Sequence, residues 1–306
     1  MYKRFWYCLL LLIFVCSYGQ QPVPQMQEVI YGRRDGMALT MFVQKPNVAN
    51  NRAVVYVMSG GYYSDARWLP DYAKRAQEFI NRGYTVFYVL HASAPMYSAP
   101  ETIADVQAAV QFVRFHADEY HIDPNKIAAT GSSSGGNLSL LIGTTDAANT
   151  SSTDQLKRTS SKVNAVACFF PPTDFLNFRS QDNYALTDSL TQKLVRESWI
   201  VSAFMFKNLN KSNNTYQLVP DDEKTELYRA LSPIYGVDKS TAPTYIIHGD
   251  QDKLVPLYQS QRFIGKLKQA GVSAELDIRQ GAGHGWDDTQ NDFKAFADWF
   301  DLHLRL

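Results

Sequence analysis

The sequence predicts an α/β fold: a mostly parallel, doubly wound sheet with helices on both faces. Three observations carry this. Short apolar runs alternate with stretches of helical periodicity through most of the chain. The run Ala-Val-Val-Tyr-Val-Met at 53–58 is continuously apolar, as a strand covered on both faces must be. The composition is that of an ordinary globular protein, 45% hydrophobic and 20% charged over 306 residues, enough for a substantial core. That length fits two domains or one large α/β domain.

Residues 1–19 stand outside the pattern. Lys3 and Arg4 give a basic start, and residues 5–15 follow without a charge. A run of about eleven suits a secretory leader, whereas a spanning helix needs about twenty. Ser17 and Gly19 put small residues where a signal peptidase reads. Cleavage is expected after Gly19, leaving residues 20–306 as an exported protein, periplasmic or secreted, with no transmembrane span. A lipid anchor on Cys16 is the alternative, although Phe14 and Val15 stand where lipoprotein leaders prefer small residues. The whole chain balances 30 bases against 30 acids, so losing Lys3 and Arg4 leaves a slight acidic excess. There is no Lys/Arg surplus for nucleic-acid phosphates. Cys8 and Cys16 leave with the leader, and Cys168 alone remains, in an apolar run.

Residues 31–44 read as two strands around Arg34-Asp35-Gly36, because Asp-Gly is a strong hairpin signal. After the strand at 53–58, a polar helical stretch at 71–81 is closed by Gly83, and 84–90 is another buried strand. Ile103, Val106, Val110 and Val113 recur at helical spacing within 101–118. Pro100, Glu101 and Asp105 suit the first turns of that helix. Residues 121–124 turn the chain into a short strand at 126–130. Further strands are expected at 163–170, 244–248 and 274–278, with helices at 258–270 and 291–304. Residues 175–231 break the rhythm. They are polar, with only short aromatic helical pieces around Trp199, Phe204 and Phe206, and are read as a cap-like insertion in a single domain.

The chemistry centres on Gly131-Ser132-Ser133-Ser134-Gly135, between a strand and a helix-compatible stretch. Glycines on either side let a strand turn sharply into a helix and expose the central Ser133. A serine hydroxyl needs a base. Of the six histidines, His284 lies in a Gly-rich loop after the last strand and can reach across the sheet edge. His91 could line a site, and His248 is read as orienting a loop. His116, His121 and His303 fall on helix or turn positions. The base needs an acid to fix its tautomer. Asp252, in the stretch Gly249-Asp250-Gln251-Asp252, is the choice, with Asp250 as the alternative. An oxyanion needs two backbone N–H donors. One is expected from Ser134, and the other from the loop after the 53–58 strand, where Gly60 and Gly61 are both expected to supply N–H groups. The histidines show no metal-ligand spacing, and there is no Gly-rich phosphate loop with Lys.

These residues resemble the α/β-hydrolase superfamily, in particular exported carboxylesterases related to hormone-sensitive lipase and to prolyl-oligopeptidase-like esterases. The resemblance rests on Asp35 to Leu39, Ser59-Gly60-Gly61, Asp105 to Ala109, His121 to Pro124, Gly131 to Gly136, Gly249 to Pro256 and Gly283-His284. It covers nearly the whole chain after the leader, and the order Ser133, Asp252, His284 is the superfamily's order. It implies ester hydrolysis through an acyl-enzyme, without a cofactor, on a small-molecule or carbohydrate-linked ester. Esterases near hormone-sensitive lipase carry His-Gly-Gly-Gly at the oxyanion loop. Here Ser59 stands for the His and Tyr62 for the third Gly. Many relatives have Ala where Ser134 stands, a change expected to be harmless because that residue contributes only its N–H. Two rival readings follow from the same fold. A prolyl-oligopeptidase-type peptidase would normally carry a large propeller, and no repeats are present. A non-catalytic binding member would normally have lost a triad residue, and all three stand here.

Overall fold

The computed structural model describes residues 26–178, 203–210, 212, 213, 215–220 and 222–305. The expected leader, Cys16 and Trp199 lie outside the described residues. Ten strands are present among those described: β1 (Met26–Arg34), β2 (Met37–Gln44), β3 (Ala53–Val57), β4 (Thr85–Val89), β5 (Ile127–Ser132), β6 (Ala165–Phe169), β7 (Lys207–Asn210), β8 (Thr215–Leu218), β9 (Thr244–Gly249) and β10 (Ala274–Arg279). Eight of them make one sheet in the order β1-β2-β4-β3-β5-β6-β9-β10. β1 and β2 pair antiparallel, β2 and β4 likewise, and every pair from β4 to β10 is parallel. This is the α/β-hydrolase architecture that the sequence predicts.

The β1–β2 hairpin turns on two residues, since Arg34 pairs with Met37. Asp35 and Gly36 both have positive φ, 48° and 84°. That is the turn whose twist matches a right-handed ribbon, and Asp-Gly is its preferred pair.

The sheet separates two apolar layers. β3 is wholly buried, and its side chains alternate between them. Ala53, Val55 and Val57 join the layer under the helices Ala99–Phe115, Ser134–Thr144 and Tyr258–Gln269. Val54 and Tyr56 join the layer under Leu69–Arg75, Gln77–Asn81 and Gln290–His303. There Phe79, Phe293, Phe296 and Phe300 pack at ring-centroid distances of 5.5–5.8 Å. Aromatic pairs at this spacing add to the stabilisation from area burial.

Three elements differ from expectation. The stretch read as one helix at 71–81 is two short helices broken at Ala76. Asp105 is no exposed dipole complement: it is buried, pairs with Arg34 of β1 at 2.5 Å and accepts the Ala92 amide at 2.9 Å. The 175–231 stretch, read without strands, carries the antiparallel hairpin β7–β8, separate from the main sheet. Phe206 is buried against Tyr228, and the partly buried Phe204 packs edge-on to Tyr62 at 5.5 Å, whereas Tyr216 of β8 is exposed. No helix among the described residues is long and apolar enough to cross a membrane.

The strand order also fixes where a site can form. From β3 the chain goes to β4 on one side, then returns to β5 on the other. A crevice opens at such a reversal, outside the carboxyl ends of the strands. The loop after β3 and the turn after β5 are the two segments that flank it.

Candidate active site

β5 ends at Ser132, and the helix Ser134–Thr144 starts two residues later. Ser133 makes the turn at φ 54° and ψ −119°, a region that L-residues avoid. The turn is held from both sides. The Ser133 amide donates to Phe169 O of β6 at 3.0 Å. A Cβ on Gly135 would lie 2.7 Å from the Val57 carbonyl oxygen, and one on Gly131 2.5 Å from the Gly135 backbone. Both positions must be glycine for helix and strand to approach this closely. The strain is thus fixed by surrounding packing, which leaves the Ser133 hydroxyl facing outward.

His284 Nε2 lies 2.9 Å from Ser133 Oγ, and His284 Nδ1 lies 2.7 Å from Asp252 Oδ2. Asp252 Oδ1 accepts the amides of Leu254 and Val255, each at 2.9 Å. Burial pushes the Asp252 carboxyl up, but hydrogen bonds from His248, His284 and the Val255 amide outweigh it. The net effect holds this carboxyl well below the usual carboxylate range. An ionised Asp252 can only accept, so His284 Nδ1 carries the proton and Nε2 is free to accept from Ser133.

The acid and base loops are built against each other. A Cβ on Gly249 would lie 2.3 Å from Ala282 O and 2.5 Å from Gly283 O. Gln251 N donates to Ala282 O at 2.9 Å, and Asp250 Oδ1 accepts from Gly281 N at 2.7 Å. Asp250, the alternative acid, is therefore a loop anchor that does not touch His284. His248 is buried, with Nδ1 at 2.7 Å from Ser260 Oγ and Nε2 at 2.8 Å from Val255 O. It does orient the Asp252 loop. His91 is buried apart from these groups, and burial lowers its pKa to about 4.

The expected donors are only partly placed as the sequence implied. The loop after β3 closes on itself, with Gly60 N donating to Tyr63 O at 2.9 Å and Tyr63 N to Gly60 O at 3.0 Å. Gly60 is thereby corrected: its amide is already used. Gly61 N has no acceptor among the described residues, and Ser134 N sits in the first turn of its helix, where no intrahelical acceptor exists. The Ser134 side chain, expected to be replaceable without effect, is engaged. Its hydroxyl is buried and accepts the Tyr62 amide at 3.0 Å, with Ser59 Oγ also at 3.0 Å. The sequence signal for this contact is the pair of departures from the family pattern, Ser59 and Ser134.

Ser133, His284, Gly60 and Gly61 line an open cleft of about 580 Å³. Its walls include Trp68, Tyr72, Phe170 and Trp286, with Arg75 further out. Phe170 packs on the His284 ring at 4.5 Å between centroids. A nucleophile, a base, an acid and free amides at one end of an aromatic cleft can perform acyl transfer.

The chain is similar to known esterases. Esterase LipC of Mycobacterium tuberculosis is 25% identical over 264 residues, 85% of this chain. The match spans 60% of LipC, and the chain spans about half the length of other curated relatives it matches, 42% and 54%. A truncated carbohydrate esterase from gut microbiota superposes with a TM-score of 0.69 at 26% identity, covering 91% of this chain and 95% of that one. An acetyl ester-xyloside bifunctional hydrolase from Caldicellulosiruptor lactoaceticus superposes with a TM-score of 0.66 at 21% identity, covering 94% and 97%, and shares the fold. The BD-FAE family profile matches residues 39–267, the greater part of the chain, and the protein belongs to that family.

Proposed function

We propose that this protein is an exported serine hydrolase of carboxylic esters and that its substrates are carbohydrate-linked. The observation that carries the reading is the hydrogen-bond chain from Ser133 through His284 to Asp252, with Ser133 and His284 lining an open cleft. In the proposed cycle Ser133 Oγ attacks the acyl carbon while His284 Nε2 takes its proton. Asp252 holds Nδ1 and stabilises the imidazolium. The oxyanion sits between the amides of Gly61 and Ser134. Collapse expels the alcohol, which leaves with the proton from His284. Water then attacks the acyl-enzyme by the same route and releases the acid.

The carbohydrate assignment is supported by the relatives described as carbohydrate esterase and acetyl ester-xyloside hydrolase. Trp68 and Trp286 offer flat apolar faces at the cleft wall, to which sugar C–H groups can pack. Export rests on the leader read at residues 1–19.

The test is a panel of chromogenic esters of rising acyl length together with acetylated and feruloylated sugars. Turnover is expected on short or aromatic acyl esters. Ser133→Ala should keep the fold by circular dichroism and lose about 10⁴-fold or more in kcat. Full hydrolysis by that variant, or cleavage of peptidyl amides alone, overturns the assignment. A secreted product whose N-terminus is Gln20 would support the leader, and one beginning at Met1 would refute it.

A further inference from the structure

We propose that the Ser134 hydroxyl is a positioning group that fixes the distance between the two oxyanion donors; this rests on the esterase reading above. Sequence logic makes the residue after the nucleophile a donor of one N–H and nothing more. The geometry gives its side chain a second task.

Gly61 and Tyr62 follow one another with φ of 56° and 62°. Two consecutive residues in the left-handed region need external support, the more so when one is a tyrosine. Tyr62 receives it at both ends. Its amide donates to Ser134 Oγ at 3.0 Å, and its phenol donates to Asn137 Oδ1 at 2.9 Å. Ser134 and Asn137 are three apart on one helix, hence on one face. Asn137 is itself fixed, with Nδ2 donating to Pro172 O and Leu231 O, each at 3.0 Å.

Ser59 completes the clip. It stands two residues after the end of β3, and its hydroxyl lies 3.0 Å from Ser134 Oγ. Ser134 Oγ has two lone pairs and one proton, so it can accept from Tyr62 and still exchange a hydrogen bond with Ser59. Both hydroxyls are almost fully buried, so no water competes for them. The free amide of Gly61 lies between the two clipped residues. Its place relative to the Ser134 amide is therefore set by the Ser134 side chain. In an esterase with Ala at that position, some other group must do this; here Ser59 and Ser134 form a matched pair.

Ser134→Ala leaves the buried Tyr62 amide without its acceptor and lets the Gly61 amide drift. A drifting donor weakens binding of the oxyanion far more than binding of the neutral ester. The expected result is a fall in kcat of about 10- to 100-fold with KM within about twofold. Affinity for a trifluoromethyl ketone, whose Ser133 adduct puts an oxyanion in the same place, should fall by the same factor. Wild-type kcat in a folded S134A protein overturns the proposal while leaving the esterase reading intact. A wild-type protein that turns over no ester yet binds the ketone through Ser133 fails the esterase reading alone. If S134A does not fold, Ser59→Ala decides. A fall in kcat at unchanged KM supports the clip, and wild-type kcat overturns it.

Discussion

His248 Nε2 lies 3.3 Å from Asp252 Oδ2, the same oxygen that His284 Nδ1 reaches at 2.7 Å. Two imidazoles thus share one carboxylate, and only one of them faces the cleft. The Val255 carbonyl can only accept, so His248 Nε2 carries a proton and Nδ1 accepts from Ser260. His248→Ala would strand the Val255 carbonyl and the Ser260 hydroxyl and leave a cavity under the Asp252 loop. A loss of about 2–4 kcal/mol is expected in urea unfolding. Stability equal to wild type would show that His248 supports nothing.

Asp250 and Asp252 stand two residues apart and should separate cleanly by mutation. Asp252→Asn removes the group that fixes the His284 tautomer, and kcat should fall by about 10³- to 10⁴-fold. Asp250→Asn loosens only the bond to the Gly281 amide, and kcat should stay within about tenfold of wild type. Steady-state kinetics on one chromogenic ester suffices. A reversal of the two effects would move the acid role to Asp250.

The depressed Asp252 carboxyl predicts a pH dependence with a definite sign. An acid whose folded pKa lies below its unfolded value stabilises the native state when ionised. That contribution is complete above the ordinary carboxylate range, about pH 4, and is lost as pH falls through the folded value. The gap in unfolding free energy between wild type and Asp252→Asn should shrink as the pH falls below about 4. A gap that widens on acidification contradicts the assignment of Asp252 as a paired carboxylate.

Much of this was readable because it is local. Asp35-Gly36 encodes its own turn, and the apolar runs encode the buried strands. The glycines around Ser133 announce a close approach, and a histidine in a loop after the last strand has one natural place to go. What escaped the sequence depends on partners far along the chain. Gly60 was expected to offer its amide, but the loop closes by a bond to Tyr63 that only the folded turn reveals. Asp105 suits a helix start by type, yet its partner is Arg34, 71 residues earlier. The β7–β8 strands, Lys-Asn-Leu-Asn and Thr-Tyr-Gln-Leu, show no burial period because the described side chains of β8 all face solvent. β7 does not alternate, and the polar-apolar alternation of β8 lasts only four residues, the short limit of a strand signal.

The contact between Gly249 and the carbonyls of Ala282 and Gly283 has a consequence for transplantation. The backbones bearing the acid and the base interlock, so neither loop can be lengthened, swung or exchanged alone. The segments around 248–256 and 279–286 form one heritable cassette, discontinuous in sequence but single in space. A chimaera that swaps both together with a relative should keep its proton relay, while one that swaps either half should misalign it. Substrate range can then vary through the cleft walls without disturbing that unit.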